Sequence, residues 1–159
     1  MVQLRSAART GNLEDTKVAV ERGADVNSRS MDRMTALHEA VYRGHSDIIE
    51  FLVARPDVDV NTFDDFGNTP LHGCCWIEHE EPARKLLSGG ATDPNLADAR
   101  GRTPLHMAVY KGRLGLLRML IEAGGDVDRA DDDGITPRML AETRAERGYW
   151  NTWKIIEGW

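Results

Sequence analysis

Only two of the 159 residues are cysteine, Cys74 and Cys75, and they are adjacent. Neighbours along a helix point in different directions, so the two do not bridge to each other, and no third cysteine offers a partner. A disulfide framework is thereby excluded. A reducing compartment fits best, so the expected location is cytoplasmic, or cytoplasmic and nuclear, and not secreted. The stretch from Met1 to Asp15 has no apolar signal-peptide core and turns acidic early. Nowhere does the chain offer the ~18 apolar residues that a membrane-spanning helix requires. Lysine and arginine form no run, and the formal net charge is −6. A duplex-binding surface needs gathered cations to displace counterions from phosphate, so neither nucleic acid nor membrane is an expected partner. A glycine-rich phosphate loop, a Gly-x-Ser-x-Gly elbow and a four-ligand zinc spacing are missing too.

What the chain does have is a period. Four similar segments open with threonine: Thr35-Ala36-Leu37-His38, Thr69-Pro70-Leu71-His72, Thr103-Pro104-Leu105-His106 and Thr136-Pro137-Arg138-Met139. The threonines stand 34, 34 and 33 residues apart. A second apolar run follows the first three, as in Ile48-Ile49-Glu50-Phe51-Leu52 and Leu116-Leu117-Arg118-Met119-Leu120. Each unit reads as helix, turn, helix, hairpin. Threonine caps the first helix by accepting from a free N–H, and proline follows where no N–H is needed. Gly44 and Gly112 stop that helix. Segments such as Asp64-Asp65-Phe66-Gly67 and Asp98-Ala99-Arg100-Gly101 are tight turns at the tips. No unit can bury its own apolar face, so the units stack.

The period, the Thr-Pro-Leu-His starts, the mid-repeat glycine and the Val26-Asn27 and Val60-Asn61 pairs resemble ankyrin repeats. The resemblance covers the whole chain. It implies an all-α fold with short β-hairpin loops, an ankyrin-repeat solenoid forming one domain over residues 1–159. The repeats are placed at about 2–29 (N-terminal cap), 30–63, 64–97, 98–130 and 131–159 (C-terminal cap). The third unit departs most from the pattern, with Glu78 in place of glycine and Pro82 opening its second helix, so its inter-helix turn is expected to be reshaped. In the last unit Trp150, Trp153 and Ile156 recur at helical spacing and are expected to form the capping face.

The residues that look like chemistry have scaffold explanations. His38, His72 and His106 occupy the position that in the resembled family bonds the helix start and neighbouring backbone. His45 and His79 also share one repeated position. Cys74 and Cys75 replace the small apolar pairs Ala40-Val41 and Ala108-Val109, where free cysteine packs as a small hydrophobe. Asp128, Asp131, Asp132 and Asp133 lack the glutamate of a calcium loop and read as a solvated tip. No catalytic residue, metal or cofactor is expected.

One pattern is left over. Seven residues after successive threonines come Tyr42, Trp76 and Tyr110, placed by the resemblance near the end of the first helix on the concave side. Arg43, Ile77 and Lys111 follow them, and the tips add Met31, Met34, Phe66, Arg100 and Arg102. Aromatics, methionine and arginine are enriched at interface centres. The expectation is a monomeric, non-catalytic protein-binding module, an adaptor or inhibitor that holds a partner protein along its concave groove and hairpin tips. Two alternatives are a reader of methylated lysine using the three rings as a cage, and a bacterial immunity protein or antitoxin.

Overall fold

The computed structural model describes residues 3–77, 80–146 and 150–158, and among these residues it has ten helices joined by turns. No strand occurs among the described residues, so the expected hairpins are tight turns without ladders. By contacts the chain divides into two compact units, Met1–Thr92 and Asp93–Trp159.

The first unit holds α1 (Leu4–Thr10), α2 (Leu13–Glu21), α3 (Ala36–Arg43), α4 (Ser46–Val53), α5 (Pro70–Cys74) and α6 (Glu81–Ser88). First helices stack on first helices, α1 on α3 and α3 on α5, and second helices follow suit, α2 on α4 and α4 on α6. The second unit repeats the plan, with α7 (Pro104–Lys111) on α9 (Pro137–Glu146) and α8 (Leu114–Glu122) on α10 (Trp150–Ile156). Leu37, Val41, Ile48, Ile49, Leu52, Leu71, Leu86, Leu105, Val109, Leu117 and Leu120 are fully buried. These are the apolar positions of the repeating pattern. At about 2 kcal/mol for each buried aliphatic, stacking is what stabilises helices too short to form alone.

The first helices of the three central repeats, α3, α5 and α7, begin in the same way. In α3 the Thr35 N–H donates to His38 Nδ1 at 3.3 Å, and the His38 N–H donates back to Thr35 Oγ1 at 3.4 Å. Thr69 and His72 repeat both bonds at 3.1 and 3.4 Å. In α7, the Thr103 N–H donates to His106 Nδ1 at 3.0 Å. Gly44 and Gly112 end α3 and α7 with φ of 72° and 68°, a left-handed conformation that only glycine adopts cheaply.

The third repeat departs from its neighbours in its first helix. Helix α5 keeps only five residues, against eight in α3 and in α7. It ends in two tight bonds, Cys75 N–H to the His72 carbonyl and Trp76 N–H to the Gly73 carbonyl, both 3.0 Å. Glu78 and His79 lie outside the described residues. At the C-terminus the expected capping face is seen in part, with Ile156 buried. Thr152, Ile155 and Ile156 are the buried residues of α10 and Trp153 is half-buried, while the Trp150 side chain lies outside what is described.

Candidate interaction surfaces

The turns at the tips are built on one residue each. Asp64 accepts the Asn68 N–H on Oδ1 at 2.9 Å, while its own N–H donates to the Asn68 carbonyl at 3.0 Å. Asp98 with Arg102 and Asp131 with Ile135 form the same two-bond closure. Ser30 does so in the second repeat, its hydroxyl accepting the Met34 N–H at 3.0 Å. Arg102 also forks onto the buried Asp98 carboxylate, its Nη2 2.7 Å from Oδ2. Burial alone raises the Asp98 pKa, but the Arg102 guanidinium and the N–H groups of Arg100 and Arg102 outweigh it and hold it below the ordinary value.

Cross-repeat bonds fix neighbouring tips within each unit. His38 Nε2 lies 3.1 Å from the Asn68 carbonyl, and His106 Nε2 lies 3.0 Å from the Ile135 carbonyl. With Nδ1 accepting and Nε2 donating, both imidazoles are fully used in their neutral form. Burial lowers the pKa of each, with backbone bonding opposing it less strongly. His45 bonds the Arg9 carbonyl at 3.2 Å, and its ring covers Gly11, where a Cβ atom would stand 2.7 Å from Cε1. Cys74 and Cys75 are buried, their sulfurs facing the carbonyls of Pro70 and Leu71 at 3.6 and 3.8 Å. Burial pushes the Cys74 thiol up, which disfavours the nucleophilic thiolate. Among the described residues no three His, Cys, Asp or Glu side chains converge as metal ligands. No helix among them is long and apolar enough to cross a membrane.

The residues singled out from the sequence separate by unit. In the first, Tyr42 is half-buried and its hydroxyl donates to Asp64 Oδ2 at 3.1 Å. Its ring lies on Gly73, where a Cβ atom would stand 3.3 Å from Cε1. Arg43 is exposed and Ile77 is half-buried. Phe66 is 75% exposed at its tip, Trp76 is 49% exposed at the end of α5, and Met31 is 97% exposed on the preceding tip. The tips carrying Met31 and Phe66 are joined by the Asp65 N–H, which donates to the Asp32 carbonyl at 3.2 Å. In the second unit Arg100 is exposed, Arg102 is committed to Asp98, and Tyr110 is 64% exposed with Lys111 Nζ 5.9 Å from its ring centroid.

A cavity of about 250 Å³ in the first unit has no signal in the sequence. Its lining comes from α1 (Arg5, Ser6, Arg9), the second-repeat tip (Ser30, Asp32) and α3 (Glu39), and no spacing rule links three such segments.

Comparison with known proteins gives two family matches, ankyrin repeats (3 copies) over residues 4–98 and ankyrin repeats (many copies) over residues 86–141. Among individual proteins, the Notch-regulated ankyrin repeat-containing protein of Xenopus tropicalis is 44% identical over 45 residues, covering 28% of this chain and 40% of that protein. Its Homo sapiens counterpart is 42% identical over the same length and shares. Serine/threonine-protein kinase 12 of Arabidopsis thaliana is 39% identical over 54 residues, 34% of this chain and 12% of the kinase. The match therefore spans less than half the length of each of these relatives.

Proposed function

Because the chain belongs to the ankyrin-repeat family, whose repeats generally mediate protein–protein interaction, we propose that it is a non-catalytic adaptor or inhibitor that binds a partner protein. The carrying observation is where the apolar surface lies. Met31, Phe66, Trp76, Tyr110 and Met139 are the exposed large hydrophobic side chains among the described residues. Every one sits on a tip or at a first helix; none sits on a second helix. Stacking requires no such bias, since first and second helices bury their core positions equally well. Large apolar side chains kept in water on one kind of element are what an interface uses. The histidines bonded to backbone and the buried cysteines support a non-catalytic reading, and free buried thiols fit a reducing cytoplasm.

Tyr42 favours the adaptor or inhibitor over a methyllysine reader. A cage needs rings presented to the ligand, and this ring is spent on Gly73 and Asp64. The test is affinity capture from an extract of the native source, comparing wild type with the separate variants Phe66→Ala, Trp76→Ala and Tyr110→Ala. The expected result is loss of the proteins held by the wild type in at least one variant, with all melting curves unchanged. Identical capture by all four proteins would sink the surface reading.

A further inference from the structure

The cavity in the first unit sets two cations against two anions. Arg5 and Arg9 stand four apart on α1, so both side chains leave one helix face. Asp32 on the second-repeat tip and Glu39 on α3 are the anions of the lining, and Gln3, Ser6 and Ser30 are its neutral polar residues. Opposite charges that line one cavity can pair with one another. Here none of the four makes an ion pair or a side-chain hydrogen bond among the described residues. The tip that supplies Asp32 is also held unusually: Arg33 has φ 58°, and it is the one non-glycine residue with positive φ among those described. Met31, next to Asp32 in the sequence, is almost wholly exposed, and the Asp32 carbonyl is the atom that links this tip to the one bearing Phe66. A cavity lined by two cations and two anions, on a tip that also carries an exposed apolar side chain, matches one kind of ligand.

We propose that this cavity receives a segment of a partner protein in which an acidic and a basic side chain stand together next to an apolar one. The carboxylate lies against Arg5 and Arg9, whose guanidinium forks match its geometry. The ammonium or guanidinium lies against Asp32 and Glu39, and the apolar residue lies against Met31. A segment of one sign meets attraction from one pair of charges and repulsion from the other, so the site selects mixed charge and rejects acidic or basic runs. This rests on the protein-binding reading and gives it a sequence preference.

The probe is a set of blocked pentapeptides titrated into the full ¹⁵N-labelled chain: Gly-Glu-Arg-Leu-Gly and Gly-Arg-Glu-Leu-Gly, with Gly-Glu-Glu-Leu-Gly, Gly-Arg-Arg-Leu-Gly and Gly-Gln-Gln-Leu-Gly as controls. The expected result is movement of the amide signals of Arg5, Ser6, Arg9, Ser30, Asp32 and Glu39. At least one mixed-charge peptide binds about five- to tenfold more tightly than each control, the scale of a partly exposed charge pair. Arg5→Gln with Arg9→Gln removes the advantage over Gly-Arg-Arg-Leu-Gly, and Asp32→Asn with Glu39→Gln removes that over Gly-Glu-Glu-Leu-Gly. Either double variant suffices should the other fail to fold. Equal affinity for a like-charged peptide, or no movement of cavity signals at millimolar peptide, overturns the proposal. Movement at Phe66 and Trp76 alone overturns the cavity and leaves the protein-binding reading standing. Unchanged capture by the alanine variants with a responding cavity overturns the exposed apolar side chains as the binding surface and leaves the cavity standing.

Discussion

The Tyr42 hydroxyl donates to Asp64 Oδ2 at 3.1 Å, tying the end of α3 to the residue on which the next tip is built. Asp64 already accepts the N–H groups of Phe66 and Asn68, each at 2.9 Å. The Asn68 side-chain amide reaches Oδ2 as well, at 3.4 Å, so the phenol is a fourth donor to a buried carboxylate, in a bond that links two repeats and carries charge at one end.

Tyr42→Phe is expected to lower stability by about 1 kcal/mol, because it removes one charge-assisted bond while the tip keeps its backbone donors. Urea melts measure this. The phenol pKa is raised, chiefly by burial and then by the Asp64 carboxylate beside it. The folded state thus holds this proton while the unfolded chain releases it, and stability falls as pH rises past the ordinary tyrosine value of about 10. Subtracting the alkaline absorbance titration of Tyr42→Phe from that of the wild type isolates this group. A difference curve centred at the ordinary value contradicts the assignment.

His38 and His106 act at the opposite end of the pH scale. Burial lowers both pKa values, and the neutral ring is the form that accepts the cap N–H on Nδ1. The unfolded chain takes up these protons first as pH falls below about 6.5, the ordinary histidine value. Stability is accordingly full above that value and is lost as pH drops through it toward the folded-state values. The expected observation is a urea midpoint that is flat from pH 8 to 7 and declines toward pH 5. In His106→Gln the lower-pH decline is shallower, on a lower plateau. A decline equally steep in that variant assigns the effect to other groups.

Much of this architecture is legible in the sequence because its determinants are local. Thr69, Pro70 and His72 fall within one helical turn, and their chemistry alone specifies a capped start. The exposure of Tyr42, Trp76 and Tyr110 is different in kind. The three share a register, yet Tyr42 is drawn down by Gly73 and Asp64, residues of the following repeat. A register repeated along the chain reports which face a residue is on and says nothing of what the next repeat places against it. The asparagines show the same limit. Val26-Asn27 is recognisable as a pattern, but its purpose appears only when Asn27 is seen donating to the Asp57 carbonyl and accepting the Asp59 N–H, 2.7 and 2.8 Å away. The mixed-charge cavity, assembled from three separate segments, has no linear signature at all.

Arg33 supplies the last prediction, and it joins stability to the proposed site. The other tips place Gly67, Gly101 and Gly134 at the corresponding position, with φ of 76°, 74° and 77°. Arg33 adopts φ 58° in the same turn. A side chain in the left-handed region costs roughly 1–2 kcal/mol, whereas glycine pays back roughly 0.5–1 kcal/mol through its freer unfolded chain. Arg33→Gly is therefore expected to stabilise the chain by about 0.5–1 kcal/mol, an unusual sign for a glycine substitution. Arg33→Ala, which keeps the strained Cβ and removes only the guanidinium, is expected to leave stability within about 0.5 kcal/mol of wild type. Comparing urea midpoints of the two variants separates backbone from charge. If Arg33→Gly is no more stable than Arg33→Ala, the turn is not strained by its Cβ. An unbroken Asp32 carbonyl link to Asp65 in Arg33→Gly, read from slowed exchange of the Asp65 amide, is expected alongside the gain, because the substitution relaxes the tip without moving the bond that joins it to its neighbour.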